Sequence, residues 1–233
     1  MITVDFNRLR VRPGYRILDV GCGSGRHVRH ASGRNGVTVI GVDINYPELK
    51  TLHYELRTDR AGTNSAWGIG VADAASLPFK DESFDLVICS EVLEHIENHQ
   101  NVVSELNRVL KKNRDLVVSV PRFFPESVCW GLSQRYYRTE GGHIRIYKNR
   151  EISLLLSGYG FRIWRKCHAH SLHSPYWWLK CLVGPDRNDV FLVNLYHRFL
   201  VYDLMEHPKP TRFLEKIMNP LMGKSLVIYS RKE

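Results

Sequence analysis

The fold of this chain is decided by the stretch Arg16-Ile17-Leu18-Asp19-Val20-Gly21-Cys22-Gly23-Ser24-Gly25-Arg26-His27. A short apolar run leads into three alternating glycines, and a helical pattern follows them. Glycines let the backbone turn tightly and bring bare N–H groups at a helix N-terminus against a polar ligand, which a side chain would block. The stretch therefore predicts a strand, a ligand-binding turn and a helix.

The glycine spacing differs from that of dinucleotide-binding sites, which follow the pattern G-x-G-x-x-G. Here the third glycine comes one residue early, and Asp19 lies inside the end of the strand. A second acid, Asp43, closes the next predicted strand and suits hydrogen bonds to ribose hydroxyls. The spacing indicates a nucleoside-containing cofactor other than a dinucleotide.

Apolar, β-rich runs alternate with helical patterns as far as residue 167, which predicts a parallel sheet flanked by helices in β-α-β-α order. Seven strands are predicted, over 16–20, 37–43, 67–72, 84–90, 115–120, 161–167 and 225–230. Helices are predicted after Gly25 and over 47–58, 98–110 and 149–157. The interval 168–223 is then an insertion between the sixth and seventh strands.

Composition predicts a single globular domain over residues 1–233, because 43% of the residues are hydrophobic and 24% are charged. No apolar run reaches the length of about 18 residues that a membrane span needs, and the five cysteines form no C-x-x-C pair, so we expect a cytoplasmic protein. The net charge of +9 is spread along the chain. It leaves open a solvated basic surface or an anionic membrane face, and it disfavours a nucleic-acid partner because no lysine/arginine block occurs.

Three further segments lie just past predicted strand ends, where open α/β sheets bind ligands. They are Gly41-Val42-Asp43-Ile44, the run from Val71 to Phe79, and Phe84-Asp85-Leu86-Val87-Ile88-Cys89-Ser90-Glu91-Val92-Leu93-Glu94-His95-Ile96. Together with the glycine turn they resemble the class I, Rossmann-like S-adenosylmethionine (SAM)-dependent methyltransferases. The last segment is similar to the small-molecule branch that includes ubiquinone and menaquinone methyltransferases. The resemblance implies a seven-stranded Rossmann-like methyltransferase sheet and SAM as cofactor.

The resemblance also implies roles for individual residues. Asp43 would accept hydrogen bonds from the ribose hydroxyls and Ile44 would pack on the adenine, whereas Asp43 as a cap of the next helix is the alternative. Asp73 would accept a hydrogen bond from the adenine amino group, and the Ala74 N–H would donate one to a ring nitrogen. A plain turn at Asp73 is the alternative. The implied cofactor site comprises Asp19, Gly21, Cys22, Gly23, Gly25, Asp43, Ile44, Asp73, Ala74, Ser90 and Glu91.

The fourth segment bears on the methylated atom. It lacks the N-P-P-Y type motif of amino-methylating enzymes, so we expect O-methylation of a hydroxylated small molecule, lipid or glycan. C-methylation of a quinone-like or isoprenoid ring is the alternative within the enzyme class. A SAM-binding or membrane-associated scaffold without turnover is the alternative from another class.

Removal of a hydroxyl proton near neutral pH suits a neutral histidine. His143, in Gly141-Gly142-His143-Ile144-Arg145-Ile146-Tyr147, is the first candidate base, because similar enzymes place such a segment at the acceptor pocket. His95 is the second, since it would lie one helical turn from Glu91, although a structural role is its alternative. Arg145 and Tyr147 are expected to bind substrate or else to cover the sheet.

The insertion 168–223 has three interpretations: a lid on the acceptor pocket, a membrane-interface anchor, or a homodimer interface. Trp177 and Trp178 are expected to bind an apolar substrate, and with Lys180 they would form the anchor. The run from Val190 to Met205 predicts a largely apolar helix that must bury most of its surface. We expect no metal site, although a cluster of His168, His170 and His173 is the alternative.

Overall fold

The computed structural model describes residues 2–58, 64–138 and 141–233. In this part of the chain the strands are β1 (Arg16–Val20), β2 (Thr38–Asp43), β3 (Ala66–Val71), β4 (Phe84–Ser90), β5 (Leu110–Pro121), β6 (Phe161–Ala169) and β7 (Ser225–Lys232). The α-helices are α1 (Arg26–Ser32), α2 (Tyr46–Thr58), α3 (His99–Val109), α4 (Phe123–Leu132), α5 (Gln134–Arg138), α6 (Asn149–Gly158), α7 (His173–Val183), α8 (Phe191–Glu206) and α9 (Lys209–Met222).

The seven strands form one sheet in the order β3-β2-β1-β4-β5-β7-β6. The pairs from β3 through β5 are parallel, whereas β7 runs antiparallel to both of its neighbours. The sheet is therefore mixed, and the prediction of a parallel sheet is right for five strands. The predicted Rossmann-like methyltransferase architecture and its seven strands are confirmed.

The predicted order of elements is wrong in two places. No helix separates β3 from β4, because residues 72–83 form turns that Arg108 of α3 holds through its bonds to the Leu77 and Phe79 carbonyls. Helices α4 and α5 follow β5 without having been predicted. The insertion between β6 and β7 is helical as expected and contains α7, α8 and α9.

The core has two apolar layers, one on each face of the sheet. Successive residues of a strand point to opposite faces, so Ile17 packs in one layer and Leu18 in the other, and both are completely buried. All seven residues of β4 are buried, as expected for a central strand covered on both faces.

Helix α8 does not bury most of its surface, which contradicts the sequence prediction. Only Val193, Leu200 and Asp203 are buried. The helix packs against α7, Asp203 pairs with Arg212 of α9, and most of its other side chains face solvent. The exposed apolar side chains of α8 and α9, here named the α8–α9 face, are Phe191, Leu192, Leu195, Phe199, Val201, Tyr202, Leu204, Met205, Phe213, Leu214, Ile217 and Leu221. None of the helices in the described ranges combines the length and the apolarity needed to span a bilayer.

Candidate functional site

The glycine turn after β1 has a backbone that other residues would strain. Gly21 and Gly25 have φ angles of +69° and +73°, in the left-handed region. A Cβ on Gly21 would lie 2.3 Å from Cγ2 of Val92, and one on Gly25 would lie 2.2 Å from Cδ1 of Leu52. The turn is thus packed against the segment after β4 and against α2, which fixes it beside the carboxyl ends of the strands.

Asp43 is held by two backbone N–H groups. Gly23 donates to its Oδ2 at 2.7 Å and Asn45 donates to its Oδ1 at 2.8 Å. The next helix is capped by Asn45, whose Oδ1 accepts from the Glu48 N–H at 3.3 Å, and not by Asp43. The Asp43 carboxylate keeps free lone pairs, so it can accept further hydrogen bonds from a diol.

A cavity of about 670 Å³ opens at the ends of β1, β2, β3 and β4. It brings together nine of the eleven residues predicted for the cofactor: Gly21, Cys22, Gly23, Asp43, Ile44, Asp73, Ala74, Ser90 and Glu91. Sequence reasoning missed its other walls, which are Ser24, Arg26, Glu48, Ala72, Val92 and Ile96. It gave His95, which also lines the cavity, a catalytic or a structural role. Asp19 and Gly25 do not line this cavity.

Asp19 is buried under the glycine turn, with no hydrogen-bond partner for either carboxylate oxygen among the described residues. Burial, opposed by Arg26 and reinforced by Asp43, raises its pKa to about 7. The nearest base, His27 Nδ1, is 3.8 Å away, and burial together with Arg26 lowers the pKa of His27 to about 3. The two side chains therefore meet as neutral groups at mildly acidic pH.

Asp73 combines the two roles that the sequence left open. Its Oδ1 accepts the Ala75 N–H at 2.8 Å, which is a local Asx turn. The same residue lines the cavity next to Ala74. Because one carboxylate oxygen is engaged in the turn, the other is available to a ligand.

Glu91 has a strained backbone at the end of β4, with φ at +58°. Its N–H donates to the Ser119 carbonyl at 2.9 Å, and the Ser119 hydroxyl donates to Glu91 Oε1 at 2.8 Å. Ser90 belongs to the same hydrogen-bond network, because its hydroxyl lies 2.8 Å from the Ser119 hydroxyl. Non-glycine residues in this conformation cluster at functional sites, and here the strain turns Glu91 toward the cavity.

Residues 91–98 form turns and not the predicted helix, so Glu91 and His95 do not share a helix face. Arg145 donates to the carbonyls of Leu93 (3.0 Å), Ile96 and Glu97 (3.0 Å), and the Tyr147 hydroxyl donates to the Leu93 carbonyl at 3.2 Å. These backbone bonds compete with helix formation. Arg145 and Tyr147, expected to bind substrate, line neither this cavity nor the second one and instead hold the 91–97 segment in place.

A second cavity, of about 310 Å³, adjoins the first. Its described walls are His95, Tyr136, Gly141, Gly142, His143, Trp177, Pro185 and Asp186. His95 lines both cavities, so molecules bound in the two cavities would share this side chain as a wall. This arrangement suits two reactants that exchange a small group.

His143 is oriented by a buried acid that the sequence did not single out. Its Nδ1 lies 2.6 Å from Oε1 of Glu126, which is only 1% exposed. Burial raises the pKa of Glu126, but the hydrogen bond to His143 and the charge of Lys224 outweigh it, and the pKa falls below its ordinary value. An ionised Glu126 accepts the Nδ1 proton, which leaves the Nε2 lone pair of His143 free.

His95 lies beside His143, with the ring centroids 5.0 Å apart. Its Nδ1 is 3.2 Å from the Gly142 carbonyl, and its Nε2 is 3.9 Å from Oε1 of Glu94. Burial and the neighbouring His143 lower the pKa of His95. Glu94, His95 and His143 are the described residues that could hold a metal ion, since their ligand atoms lie within 4.8 Å of one another.

The other predicted substrate and metal residues are placed differently. Trp177 lines the second cavity, with Lys224 Nζ 4.7 Å from its ring centroid. Trp178 does not line it, because its Nε1 donates to the Pro125 carbonyl at 3.0 Å. Lys180 is buried and donates to the Arg187 carbonyl at 2.7 Å, so it is no surface anchor. His168, His170 and His173 form no three-ligand group in the described ranges, since His170 Nε2 faces the Thr3 hydroxyl.

Residues 18–118 match the family described as "Methyltransferase domain". Over these residues the chain carries a methyltransferase domain of the class I, SAM-dependent type. Among curated proteins it is 31% identical over 114 residues to Methyltransferase GfsG of Streptomyces halstedii, covering 49% of this chain and 40% of that protein. It is 37% identical over 103 residues to botryococcene C-methyltransferase of Botryococcus braunii, covering 44% of this chain and 27% of that protein.

A third relative, 24-methylenesterol C-methyltransferase 2 of Arabidopsis thaliana, is 25% identical over 189 residues, covering 76% of this chain and 49% of the relative. The chain therefore spans between about a quarter and a half of the length of these relatives. The family match over residues 18–118 includes all the residues that line the larger cavity.

Solved structures confirm the fold of this chain over nearly its whole length. A SAM-dependent methyltransferase from Methanosarcina mazei superimposes with a TM-score of 0.64 at 18% identity, covering 95% of this chain and 94% of that one. The [4+2]-cyclase SpnF superimposes with a TM-score of 0.62 at 20% identity, covering 97% of this chain and 77% of the cyclase chain. Because this fold carries a cyclase as well as methyltransferases, fold alone does not fix the reaction.

Proposed function

We propose that the protein transfers the methyl group of SAM to a hydroxyl oxygen of an acceptor bound in the second cavity. The Glu126–His143 pair carries this proposal, because it presents a free Nε2 lone pair in a cavity that shares His95 with the cofactor cavity. In the reaction the acceptor O–H proton passes to Nε2 of His143, the O–CH₃ bond forms and the S–CH₃ bond breaks. S-adenosylhomocysteine leaves.

The cofactor would lie in the larger cavity. Two backbone N–H groups already hold the Asp43 carboxylate, which would accept a hydrogen bond from each of the two ribose hydroxyls. Ile44 is 74% exposed, so it offers an apolar surface for the adenine ring. Ser90 and Glu91 close the opposite wall.

C-methylation is the second candidate, favoured by the names of the botryococcene and sterol C-methyltransferases among the relatives. Addition of a methyl cation to an alkene creates a carbocation, and loss of a proton from a neighbouring carbon follows the transfer. We expect loss of the His143 imidazole to slow this route less than O-methylation. Transfer from CD₃-labelled SAM, with the label located by mass spectrometry and NMR, separates a new O–CD₃ from a new C–CD₃ group.

The first test is calorimetric titration of the protein with SAM and with S-adenosylhomocysteine. We expect micromolar binding by the wild type, loss of binding in Asp43→Ala, and unchanged binding in Asp81→Ala, an exposed acid outside the cavity. If neither ligand binds, the enzyme proposal fails and a scaffold without turnover becomes the better interpretation.

We further infer that the acceptor is lipophilic and that the protein docks from the cytoplasm on an anionic bilayer through the α8–α9 face. The cations Arg198, Lys209 and Lys216 lie exposed on these helices with no ion-pair partner among the described residues, against one exposed acid, Glu206. Apolar side chains interspersed with cations suit an anionic lipid surface. The loop between α7 and α8 also supplies Pro185 and Asp186 to the acceptor cavity.

Vesicle flotation tests this surface. We expect the protein to float with phosphatidylcholine vesicles that contain about 30% phosphatidylglycerol at low salt, and to stay down with pure phosphatidylcholine. The double variant Phe191→Ser/Phe213→Ser should lose flotation, whereas Leu154→Ser, an exposed leucine on α6, should keep it. A protein that stays down under all conditions and elutes as a homodimer would show instead that a second copy covers the face.

A further inference from the structure

We propose that Glu94, His95 and His143 bind a divalent first-row transition-metal ion at the junction of the two cavities. Their ligand atoms already lie within 4.8 Å of one another. Small side-chain rotations would bring them to metal–ligand distances of about 2.0–2.2 Å. The three residues come from two separate segments that Arg145 fastens together, so the cluster is built by the fold.

The first observation that points to an ion is the state of Glu94. This side chain is completely buried, and both of its carboxylate oxygens lack a hydrogen-bond partner among the described residues. Leaving a buried polar group without a partner costs about 1–3 kcal/mol, and more for a charged one. A cation between Glu94 and the two histidines would satisfy both oxygens.

The second observation is how the two imidazoles are oriented. His95 Nδ1 faces the Gly142 carbonyl at 3.2 Å, and His143 Nδ1 faces the Glu126 carboxylate at 2.6 Å. When each Nδ1 donates to its oxygen, both Nε2 atoms keep a lone pair, and that of His95 lies 3.9 Å from Oε1 of Glu94. Metal-binding histidines almost always donate their second N–H to a carboxylate or a carbonyl in this way.

The ligand set selects the class of ion. Two imidazoles and one carboxylate suit Zn²⁺, Fe²⁺, Co²⁺ or Mn²⁺, whereas Mg²⁺ and Ca²⁺ prefer oxygen ligands. Three protein ligands also leave at least one coordination position open. Because His95 and His143 line the acceptor cavity, that position would face the acceptor.

This inference rests on the proposed function for its chemistry. The ion would lower the pKa of an acceptor hydroxyl, whose proton would pass to solvent, and the O–CH₃ bond would form as the S–CH₃ bond breaks. The ion would then replace His143 as the activating group. An alkene acceptor would gain nothing from such an ion, so metal dependence would also identify an oxygen nucleophile.

The experiment is a titration of the purified full chain with Co²⁺, followed by visible absorption, after removal of bound metal with a chelator. We expect saturation at one equivalent with d–d bands, displaced by Zn²⁺ and not by Mg²⁺. Glu94→Gln and His143→Ala should abolish the bands, and Glu126→Gln should weaken binding about 10- to 100-fold. His53→Ala, an exposed histidine on α2, is the matched control and should bind normally.

Glu94→Gln keeps the shape of the side chain, and a SAM titration of the same variant reports whether it is folded. Co²⁺ bands that persist in Glu94→Gln and His143→Ala, or a folded wild type without bands, would overturn the inference. In either case SAM binding and chelator-resistant methyl transfer would leave the proposed function standing, with His143 as the base. A protein that binds Co²⁺ but not SAM would contradict the proposed function and leave the ion site standing.

Discussion

Nδ1 of His143 lies 2.6 Å from Oε1 of Glu126, a contact between α4 and the loop that precedes α6. Glu126 is buried and Tyr136 adds a longer contact of 3.4 Å to its other oxygen. The histidine is thereby fixed in one tautomer and one orientation in the acceptor cavity. Glu126 thus keeps the Nε2 lone pair of His143 free, either to accept a proton or to bind an ion.

Glu126→Gln should lower kcat for methyl transfer by about 10- to 100-fold, because the amide cannot stabilise a charged or metal-bound imidazole as a carboxylate does. The dissociation constant for SAM should not change, since Glu126 does not line the cofactor cavity. His143→Ala should lower kcat by about 10²- to 10⁴-fold. Tyr136→Phe removes the 3.4 Å contact to Glu126 and the 3.5 Å contact to Lys224 Nζ, and it should lower kcat less than either of these variants. An equal loss in all three variants would contradict the assignment.

Arg145→Ala should lower the free energy of unfolding by about 2–4 kcal/mol, because the guanidinium donates charged hydrogen bonds to three carbonyls of the 93–97 segment. SAM should also bind more weakly, since Val92, His95 and Ile96 line its cavity. Urea unfolding and calorimetry measure the two effects. The exposed Arg150 provides the control variant, Arg150→Ala.

A role of Arg145 in binding the acceptor predicts a different result. The KM for the acceptor would then rise, while unfolding and SAM affinity stayed as in the wild type. That outcome would contradict a positioning role for Arg145.

Gly25→Ala should destabilise the fold more than Gly14→Ala, although both glycines have left-handed φ angles, of +73° and +85°. A Cβ on Gly14 would meet nothing within 4 Å, so only the conformational cost of about 1–2 kcal/mol applies there. On Gly25 the same atom would lie 2.2 Å from Leu52, which adds a packing cost of about 1–3 kcal/mol. Equal midpoints in urea for the two variants would contradict the packing argument.

The sheet could be predicted because its signals are local. The bounds of β1 and β4 agree with the prediction to the residue, since each is an apolar run that ends at a glycine turn or at a polar motif. The cofactor cavity follows from the same cause, because parallel strands bring their carboxyl ends to one edge of the sheet.

The sequence predictions that were wrong concerned features that depend on contacts between residues far apart in the chain. The Glu91–His95 spacing reads as a helix, but Arg145, about fifty residues further on, takes the carbonyls that a helix would use. The partner of His143, Glu126, lies in a helix that periodicity did not reveal. An apolar helix such as α8 predicts burial, but its sequence cannot say what covers it.

Asp19→Asn should stabilise the protein increasingly as the pH rises. The pKa of Asp19 is about 7 in the folded state against 3.8 ordinarily, so its native proton stabilises the fold at low pH and this contribution is lost as the pH rises toward 7. The difference in unfolding free energy between Asp19→Asn and the wild type should grow by about 2–3 kcal/mol between about pH 5 and pH 8.

Urea unfolding at the two pH values measures this difference for Asp19. The pKa of His27 is lowered by burial, so its own contribution has the opposite sign and falls away as the pH drops. Asp81→Asn, at a side chain that is 75% exposed, should show little dependence on pH. A difference that stays constant over this range would mean that Asp19 is already ionised in the native state at about pH 5, which requires a cation or donor beside it.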